Sequence, residues 1–176
     1  PPFIAGESAA FLQLNRNKKS ISLNIQTEKG KEIFLKLISE SDVFVENFRP
    51  GSLKKLNLDY EDIKKVNPKI IHCSISGFGK TGPYSNRAGF DLVAQGMSGL
   101  MSITGTPDSP PVKVGVPISD LNGGVYAMYG ILSAYIHLLK TGEGQYVESS
   151  LLESSLAYTV WESSIYFSTG EIPSPM

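Results

Sequence analysis

The sequence contains a single cysteine, Cys73, among its 176 residues. One thiol excludes an internal disulfide framework and any multi-cysteine metal site, so we expect no bound metal and a reducing compartment, the cytoplasm or a mitochondrion. Histidine is almost as rare, with only His72 and His137. Two histidines give little basis for a metal site or a Ser/His triad, and both are predicted to be core residues whose ring nitrogens have hydrogen-bond partners.

An excess of charge and a long hydrophobic run are also missing. The 16 basic and 17 acidic residues leave a net charge of -1, which argues against nucleic acid or an anionic membrane as a partner. The longest apolar stretch, residues 125–139, is interrupted by Gly130, Ser133 and His137. A membrane span needs roughly 18 to 20 apolar residues, so this stretch predicts a buried helix.

The patterning of the first half indicates an α/β fold. With 41% hydrophobic and 19% charged residues, the chain has the composition of a globular protein with a real core. Three segments have the pattern of strands, namely residues 20–25, 43–46 and 70–75. Helices are predicted between them, over 27–40 with Thr27 as its cap and over 59–66 with Asp59 as its cap. This alternation predicts a Rossmann-like, doubly wound unit with a mostly parallel sheet, although the strand order cannot be read.

The second half predicts longer helices joined by loops. The expected elements are a helix over 91–101, a Pro-rich connection over 104–118, an apolar helix over 122–140, a short strand over 145–148 and a final helix over 151–167. No internal repeat is present, and no linker requires a domain boundary.

A glycine-rich string, GFGKTG at residues 77–82, matches the G-x-G-x-x-G pattern of dinucleotide-binding loops. Pro83 follows it directly, and no helix is predicted before Asp91, where the pattern requires one at once. As a phosphate-binding loop the string lacks its first glycine, because position 74 is a serine. We interpret it as a turn after the sheet whose backbone can still approach a ligand.

Two candidate nucleophiles, Cys73 and Ser98, are predicted to have structural roles instead. Cys73 follows His72 on a predicted strand, so the histidine lies on the opposite face and we expect a buried structural thiol. Ser98 lies in a string that resembles a nucleophile elbow, but Leu100 occupies the position that requires glycine. Ser98 is therefore predicted to be a small packing residue.

Asp120 is open to two interpretations. It follows the apolar, Pro-containing segment 114–119 and precedes a hydrophobic helix. As an N-cap it would stabilise the start of that helix. As a nucleophile it would be kept ionised by helix amides in apolar surroundings, while Gly123 and Gly124 would leave room for a bulky electrophile and offer amides to an oxyanion. Spacing alone does not choose between the two.

Several motifs in order carry a resemblance to a known family. They are NRNKKSISLN at 15–24, DVFVENFRPG at 42–51, NPKIIHCSISGFG at 67–79, GLMSITG at 99–105, the segment 114–124 around Asp120, and TGEGQ at 141–145. Together they resemble the family III CoA-transferases, which include formyl-CoA:oxalate and succinyl-CoA-dependent transferases and have α-methylacyl-CoA racemases as relatives. The similarity runs over nearly the whole chain.

The resemblance implies a two-domain protein that forms an interlocked homodimer. Residues 1–176 would be part of the large, CoA-binding α/β domain, without its first strand and without most of the small domain. The implied substrates are acyl-CoA, with coenzyme A as the group transferred, and a small carboxylic acid. The sequences at residues 45–51 and 87–91 are most similar to those of transferases that use succinyl-CoA and dicarboxylic acids, which favours a dicarboxylate as the acid.

The resemblance also assigns roles to particular residues. Asp120 matches the aspartate that attacks the acyl-CoA thioester. The implied CoA contacts are Leu23, Asn24, Ile25, Gln26, Asn47, Phe48, Arg49, Lys55, Arg87, Ala88, Gly89, Phe90 and Asp91. Among them Phe48 would stack on adenine, and the cations Arg49 and Lys55 would meet phosphates.

Two alternatives remain beside acyl transfer. Racemases carry a histidine where this chain has Phe90, and a phenyl ring accepts no proton, so racemisation is disfavoured. A non-catalytic module that binds CoA or a nucleotide is the other alternative.

Overall fold

The computed structural model describes residues 2–175, which form two compact units, one up to Phe34 and one from Leu35 onward. In the first unit, strand β1 (Phe3–Ile4) pairs antiparallel with β2 (Glu7–Ser8), and helix α1 (Ala9–Leu14) follows. Helix α2 (Glu28–Ser39) begins in this unit, where the Thr27 hydroxyl accepts a hydrogen bond from the Gly30 N–H at 3.1 Å. The predicted cap of this helix is confirmed.

The strand predicted over residues 20–25 is wrong. This segment is irregular and then turns, because the side chain of Asn24 accepts from the Gln26 N–H and its carbonyl accepts from Thr27. Asparagine commonly replaces ladder hydrogen bonds by local ones in this way. Within residues 2–175 no strand pairs with the segment. Of its apolar side chains, Leu23 and Ile25 are half-buried and Ile21 is exposed.

The second unit contains a parallel sheet, and the predicted α/β class is confirmed. Its elements are β3 (Val43–Glu46), α3 (Ser52–Lys55), α4 (Tyr60–Val66), β4 (Ile71–Ser76), α5 (Asp91–Met97), α6 (Ile118–Thr141), β5 (Tyr146–Ser150), α7 (Leu151–Leu156) and α8 (Val160–Thr169). The strand order is β3-β4-β5, with Phe44 and Tyr146 both beside His72. The single helix predicted over 151–167 is divided in two at residues 157–159.

Helices cover both faces of this sheet. On one face α6 lies so close that Gly130 leaves no room for a side chain against Val147, and the Gly123 carbonyl accepts from the buried Ser149 hydroxyl at 2.9 Å. On the other face the Tyr60 ring of α4 packs against His72. The sheet therefore forms the middle layer of three.

Helix α6 is less buried than its composition predicts. Much of its apolar side is exposed in this chain, including Met128, Tyr129, Ile136 and Leu139. The prediction of a buried helix is therefore wrong for the chain alone, because hydrophobic periodicity shows which face is apolar and does not show what covers it. Among the described helices, none is long and apolar enough to cross a membrane.

Candidate active site

A cavity of about 240 Å³ lies beyond the carboxyl ends of β3 and β4. Its lining residues are Asn47, Phe48, Arg49, Pro50, Ser76, Gly77, Arg87, Ala88, Gly89 and Phe90. Two segments far apart in sequence, 47–49 and 87–90, therefore meet around one space, and both belong to the CoA contacts that the resemblance implies. The carboxyl edge of a parallel sheet is where ligands bind in open α/β folds.

Hydrogen bonds and a close glycine contact hold these two segments in place. The Asn47 side-chain amide donates to the Ile75 backbone carbonyl at 2.6 Å, and the Phe48 N–H donates to the Glu46 carboxylate at 2.7 Å. Gly77 and Gly89 approach so closely that a Cβ on either would overlap the backbone of the other. The first glycine of the GFGKTG string thus serves this contact, and the string forms a loop with no helix before α5, as predicted.

The cavity combines two exposed aromatic rings with two cations. Phe48 and Phe90 are 50% and 69% exposed and both line the cavity. Arg49 and Arg87 belong to the same lining, and the guanidinium of Arg87 lies 4.3 Å from the centre of the Tyr84 ring. Aromatic faces beside guanidinium groups suit a flat, phosphate-bearing ligand.

Other residues selected from the sequence do not line this cavity. Lys55 lies in α3 and is exposed, and the lysine of that helix that borders a neighbouring cavity is Lys54. Leu23, Asn24, Ile25 and Gln26 belong to the first unit, so their contact with CoA stays a prediction.

The neighbouring cavity, of about 450 Å³, shares Phe48 and Arg49 with the smaller one and reaches Glu46 and His72. Within the described residues neither ring nitrogen of the buried His72 has a hydrogen-bond partner, and Glu46 Oε1 lies 3.8 Å from Nε2. The histidine is buried as predicted, but it is not satisfied. Burial acts to raise the pKa of Glu46, yet His72, Ser74 and the Phe48 N–H outweigh burial and lower it.

Asp120 lies in the first turn of α6 and is not its N-cap. The helix begins at Ile118, and Pro117 in the N-cap position has no side-chain hydrogen bond to give. Asp120 is therefore the third helical residue, its side chain is exposed in this chain, and the N-cap interpretation is wrong. Local sequence could not decide this point, because the acceptor that caps this helix comes from a distant part of the chain.

That acceptor is Asp91. Its Oδ1 accepts from the Ser119 N–H at 2.8 Å and from the Asp120 N–H at 3.4 Å. Its Oδ2 accepts from the Gln95 side-chain amide at 2.7 Å. Asp91 follows Phe90 of the cavity lining directly and thus links the cavity to the turn that carries Asp120. In this structure Asp91 holds the first turn of α6, whereas the resemblance implies a contact with CoA.

Sequence reasoning missed Gln95 and Ser119, which are both fully buried. The spacing of four between Asp91 and Gln95 on a helix was the available signal, since such pairs can hydrogen-bond. Ser119 had no comparable signal, because its partners are Asp91 and the hydroxyl of Ser155, 2.7 Å away.

The start of α6 offers no free amide to an oxyanion. The Ile118 and Leu121 N–H groups donate to the carbonyls of Val116 and Pro117, and the two N–H groups between them donate to Asp91. Gly123 and Gly124, whose amides are expected to face an oxyanion, lie inside α6 and not at its start. Gly123 is needed for packing, because a Cβ there would meet Leu151 at 2.7 Å, whereas Gly124 faces open space as expected.

Two carboxyl groups lie close together at this site. Partial burial raises the pKa of Asp120, and the negative charge of Asp91 raises it further. By contrast, burial raises the pKa of the Cys73 thiol to about 11, with Glu46 adding to the effect, so Cys73 is the inert thiol that was predicted. Residues 2–175 hold no group of three or more His, Cys, Asp or Glu side chains placed to bind a metal ion.

Comparison with known proteins identifies the family of this chain. Residues 1–176 match the model of CoA-transferase family III, and the chain belongs to this family. It is 49% identical to succinyl-CoA:glutarate CoA-transferase of Homo sapiens, over 89% of this chain and 36% of that protein. It is 43% identical to succinate–glutarate CoA-transferase of Agrobacterium fabrum, over 98% of this chain and 45% of that protein.

A solved structure supports the same assignment. The crystal structure of a CaiB/BaiF family protein from Brucella suis matches with a TM-score of 0.92 at 43% identity, over 98% of this chain and 46% of that one. This chain spans less than half the length of each of these relatives.

Proposed function

We propose that this chain is part of a CoA-transferase, here called the parent, that moves CoA from an acyl-CoA donor to a free carboxylic acid. The observation that carries the proposal is the match of the whole chain to CoA-transferase family III. Relatives named for succinyl-CoA and glutarate support dicarboxylic acids as substrates. We propose further that a second domain lies outside residues 1–176, since the chain covers under half of these relatives.

In the proposed mechanism Asp120 is the nucleophile. Its carboxylate oxygen attacks the thioester carbonyl, the C–S bond breaks, and a mixed aspartyl anhydride and CoA thiolate result. The thiolate then attacks the aspartyl carbonyl, which releases the donor acid as a carboxylate and leaves an aspartyl-CoA thioester. The acceptor carboxylate attacks this thioester to give a second anhydride, and the thiolate attacks the acceptor's carbonyl, which forms the new acyl-CoA and restores Asp120.

The chemistry requires that water be kept out, because an anhydride open to solvent hydrolyses. Asp120 is exposed in this chain, so the cover must come from other parts of the parent or from a partner chain. The exposed apolar residues of α6 and α8, such as Met128, Trp161 and Phe167, support a homodimer.

The lone, buried Cys73 supports a reducing compartment, the cytoplasm or a mitochondrion.

Acyl exchange by the parent tests the proposal directly. Succinyl-CoA labelled in the CoA part is incubated with glutarate and other free acids, and new labelled thioesters are separated and identified. Glutaryl-CoA or another new thioester is expected. A parent that forms none, or that only inverts an α-methyl centre, would contradict the proposal; the second result is disfavoured by Phe90.

Affinity for CoA is expected to depend on the cations of the smaller cavity. Arg49→Ala should weaken CoA binding by about 1 to 3 kcal/mol, roughly 5- to 150-fold, because one charge-assisted phosphate contact is lost. Lys55→Ala should have a smaller effect, since Lys55 does not line the cavity. Titration calorimetry measures both, with Lys29→Ala, an exposed cation of α2, as the matched control. Unchanged affinity in both Arg49→Ala and Lys55→Ala would show that this face was wrongly assigned.

The activity should depend on pH through Asp120, which must be ionised to attack. Its raised pKa means that activity is lost on acidification at a higher pH than an ordinary aspartate would give. Asp91→Asn removes the neighbouring negative charge, so the acid limb of the kcat/KM profile should move to lower pH. A profile that stays in place, or moves to higher pH, contradicts this electrostatic coupling.

A further inference from the structure

A buried amide side chain connects the helix that follows the cavity with the segment that leads into Asp120. Gln95 is 0% exposed, and both ends of its amide are engaged. Its Nε2 donates to Asp91 Oδ2 at 2.7 Å, and its Oε1 accepts from the Val114 N–H at 2.8 Å. The Val116 carbonyl lies 3.5 Å from the same Nε2. One side chain therefore holds both Asp91 and the backbone just before α6.

The direction of these hydrogen bonds is fixed. A backbone N–H can only donate, so the atom of Gln95 that faces Val114 must be the oxygen. The nitrogen must then face Asp91, which requires an acceptor there. The other oxygen of Asp91 faces the Ser119 N–H and must also accept. The two oxygens of the Asp91 side chain provide one acceptor for each of these donors, and the side chain at position 95 must provide a donor on one side and an acceptor on the other.

We propose that Gln95 is a positioning residue for the transfer reaction, holding Asp91 against the first turn of α6 so that this turn presents Asp120 in one orientation. The inference rests on the proposed function. A displacement of about 1 Å at a reacting group can cost roughly 100-fold in rate, so a buried anchor two contacts away can control turnover.

Kinetics of the parent provide the first test. Gln95→Met keeps the length and fills the space but has neither donor nor acceptor. Measured well below the unfolding temperature, its kcat should fall roughly 10- to 100-fold while KM for the acyl-CoA stays within about 2-fold. The matched control is Ser98→Ala in the same buried region, whose hydroxyl donates to the Gln95 backbone carbonyl at 3.2 Å; it should keep kcat. A kcat of Gln95→Met within about 2-fold of wild type overturns the proposal.

A pH-dependent rescue separates positioning from a structural role. In Gln95→Glu the side chain faces Asp91 as a second carboxylate at neutral pH, and as a donor–acceptor pair once protonated. Its kcat relative to wild type should therefore rise as the pH falls, whereas that of Gln95→Met should not. A ratio that is independent of pH contradicts the proposal.

Amide hydrogen exchange gives a readout that needs no activity. In Gln95→Met the Ser119 and Asp120 amides should exchange at least about 10-fold faster than in wild type, with the last turns of α6 unchanged. If the wild-type parent shows no acyl exchange, the proposed function fails, and this measurement still decides whether Gln95 holds the turn. Equal exchange at Ser119 in both proteins overturns the proposal.

Discussion

Asp120→Asn in the parent is expected to abolish acyl exchange, with kcat lowered by at least about 10⁴-fold, while the fold and the binding of CoA are kept. An amide oxygen is too weak a nucleophile to open a thioester, so no anhydride forms. The structure makes the cost in stability small. Asp91 caps α6, and Asp120 is an exposed residue of the first turn, where the attraction of its charge to the helix dipole is opposed by repulsion from Asp91.

Denaturant unfolding and turnover of the same preparation check this expectation. The free energy of unfolding should change by no more than about 1 kcal/mol, the usual contribution of an exposed charge at a helix N-terminus. Asp108→Asn, which removes an exposed carboxylate from the connection before α6, is the matched control and should leave both quantities unchanged. Turnover retained in Asp120→Asn would eliminate Asp120 as the nucleophile.

Asp91→Ala is expected to lower the free energy of unfolding by about 1 to 3 kcal/mol and to reduce turnover as well. The Ser119 N–H is buried and loses its acceptor, and so does the Gln95 amide. Urea unfolding of the second unit measures the loss in the free energy of unfolding, with Asp108→Ala as the control. CoA affinity should change much less than stability, because the carboxylate of Asp91 faces α6 and Gln95. If Asp91→Ala lost much of its CoA affinity and kept normal stability, Asp91 would instead be a CoA contact.

Much of the fold follows from local patterns in the sequence. Strands β3 and β4 and helices α2 and α4 form within a residue or two of their predicted bounds, because each has an apolar pattern of its own and both helices also have a capping side chain. The segment 20–25 shows where alternation misleads. Its hydrogen bonds are decided by the asparagine turn at Asn24 and by the need for a pairing strand, and neither is visible in a period of two.

The motif resemblance selects two segments that the structure brings together, and their contact with CoA stays a prediction. Segments 47–49 and 87–90 do meet around one cavity. The helix start at Ile118, the cap from Asp91 and the anchoring by Gln95 could not be derived, because each depends on contacts between residues about 20 or more positions apart. For the same reason the sequence does not show that the Ser119 and Asp120 N–H groups are occupied by Asp91.

Trapping of the covalent intermediate tests the central claim most directly. Hydroxylamine added to the parent during turnover with succinyl-CoA and glutarate should convert the activated Asp120 into a hydroxamate, which peptide mass spectrometry detects in the segment around residue 120. The adduct should require the acyl-CoA and should be absent from Asp120→Asn. An adduct on another residue, or rapid exchange with Asp120 unmodified, would contradict the account.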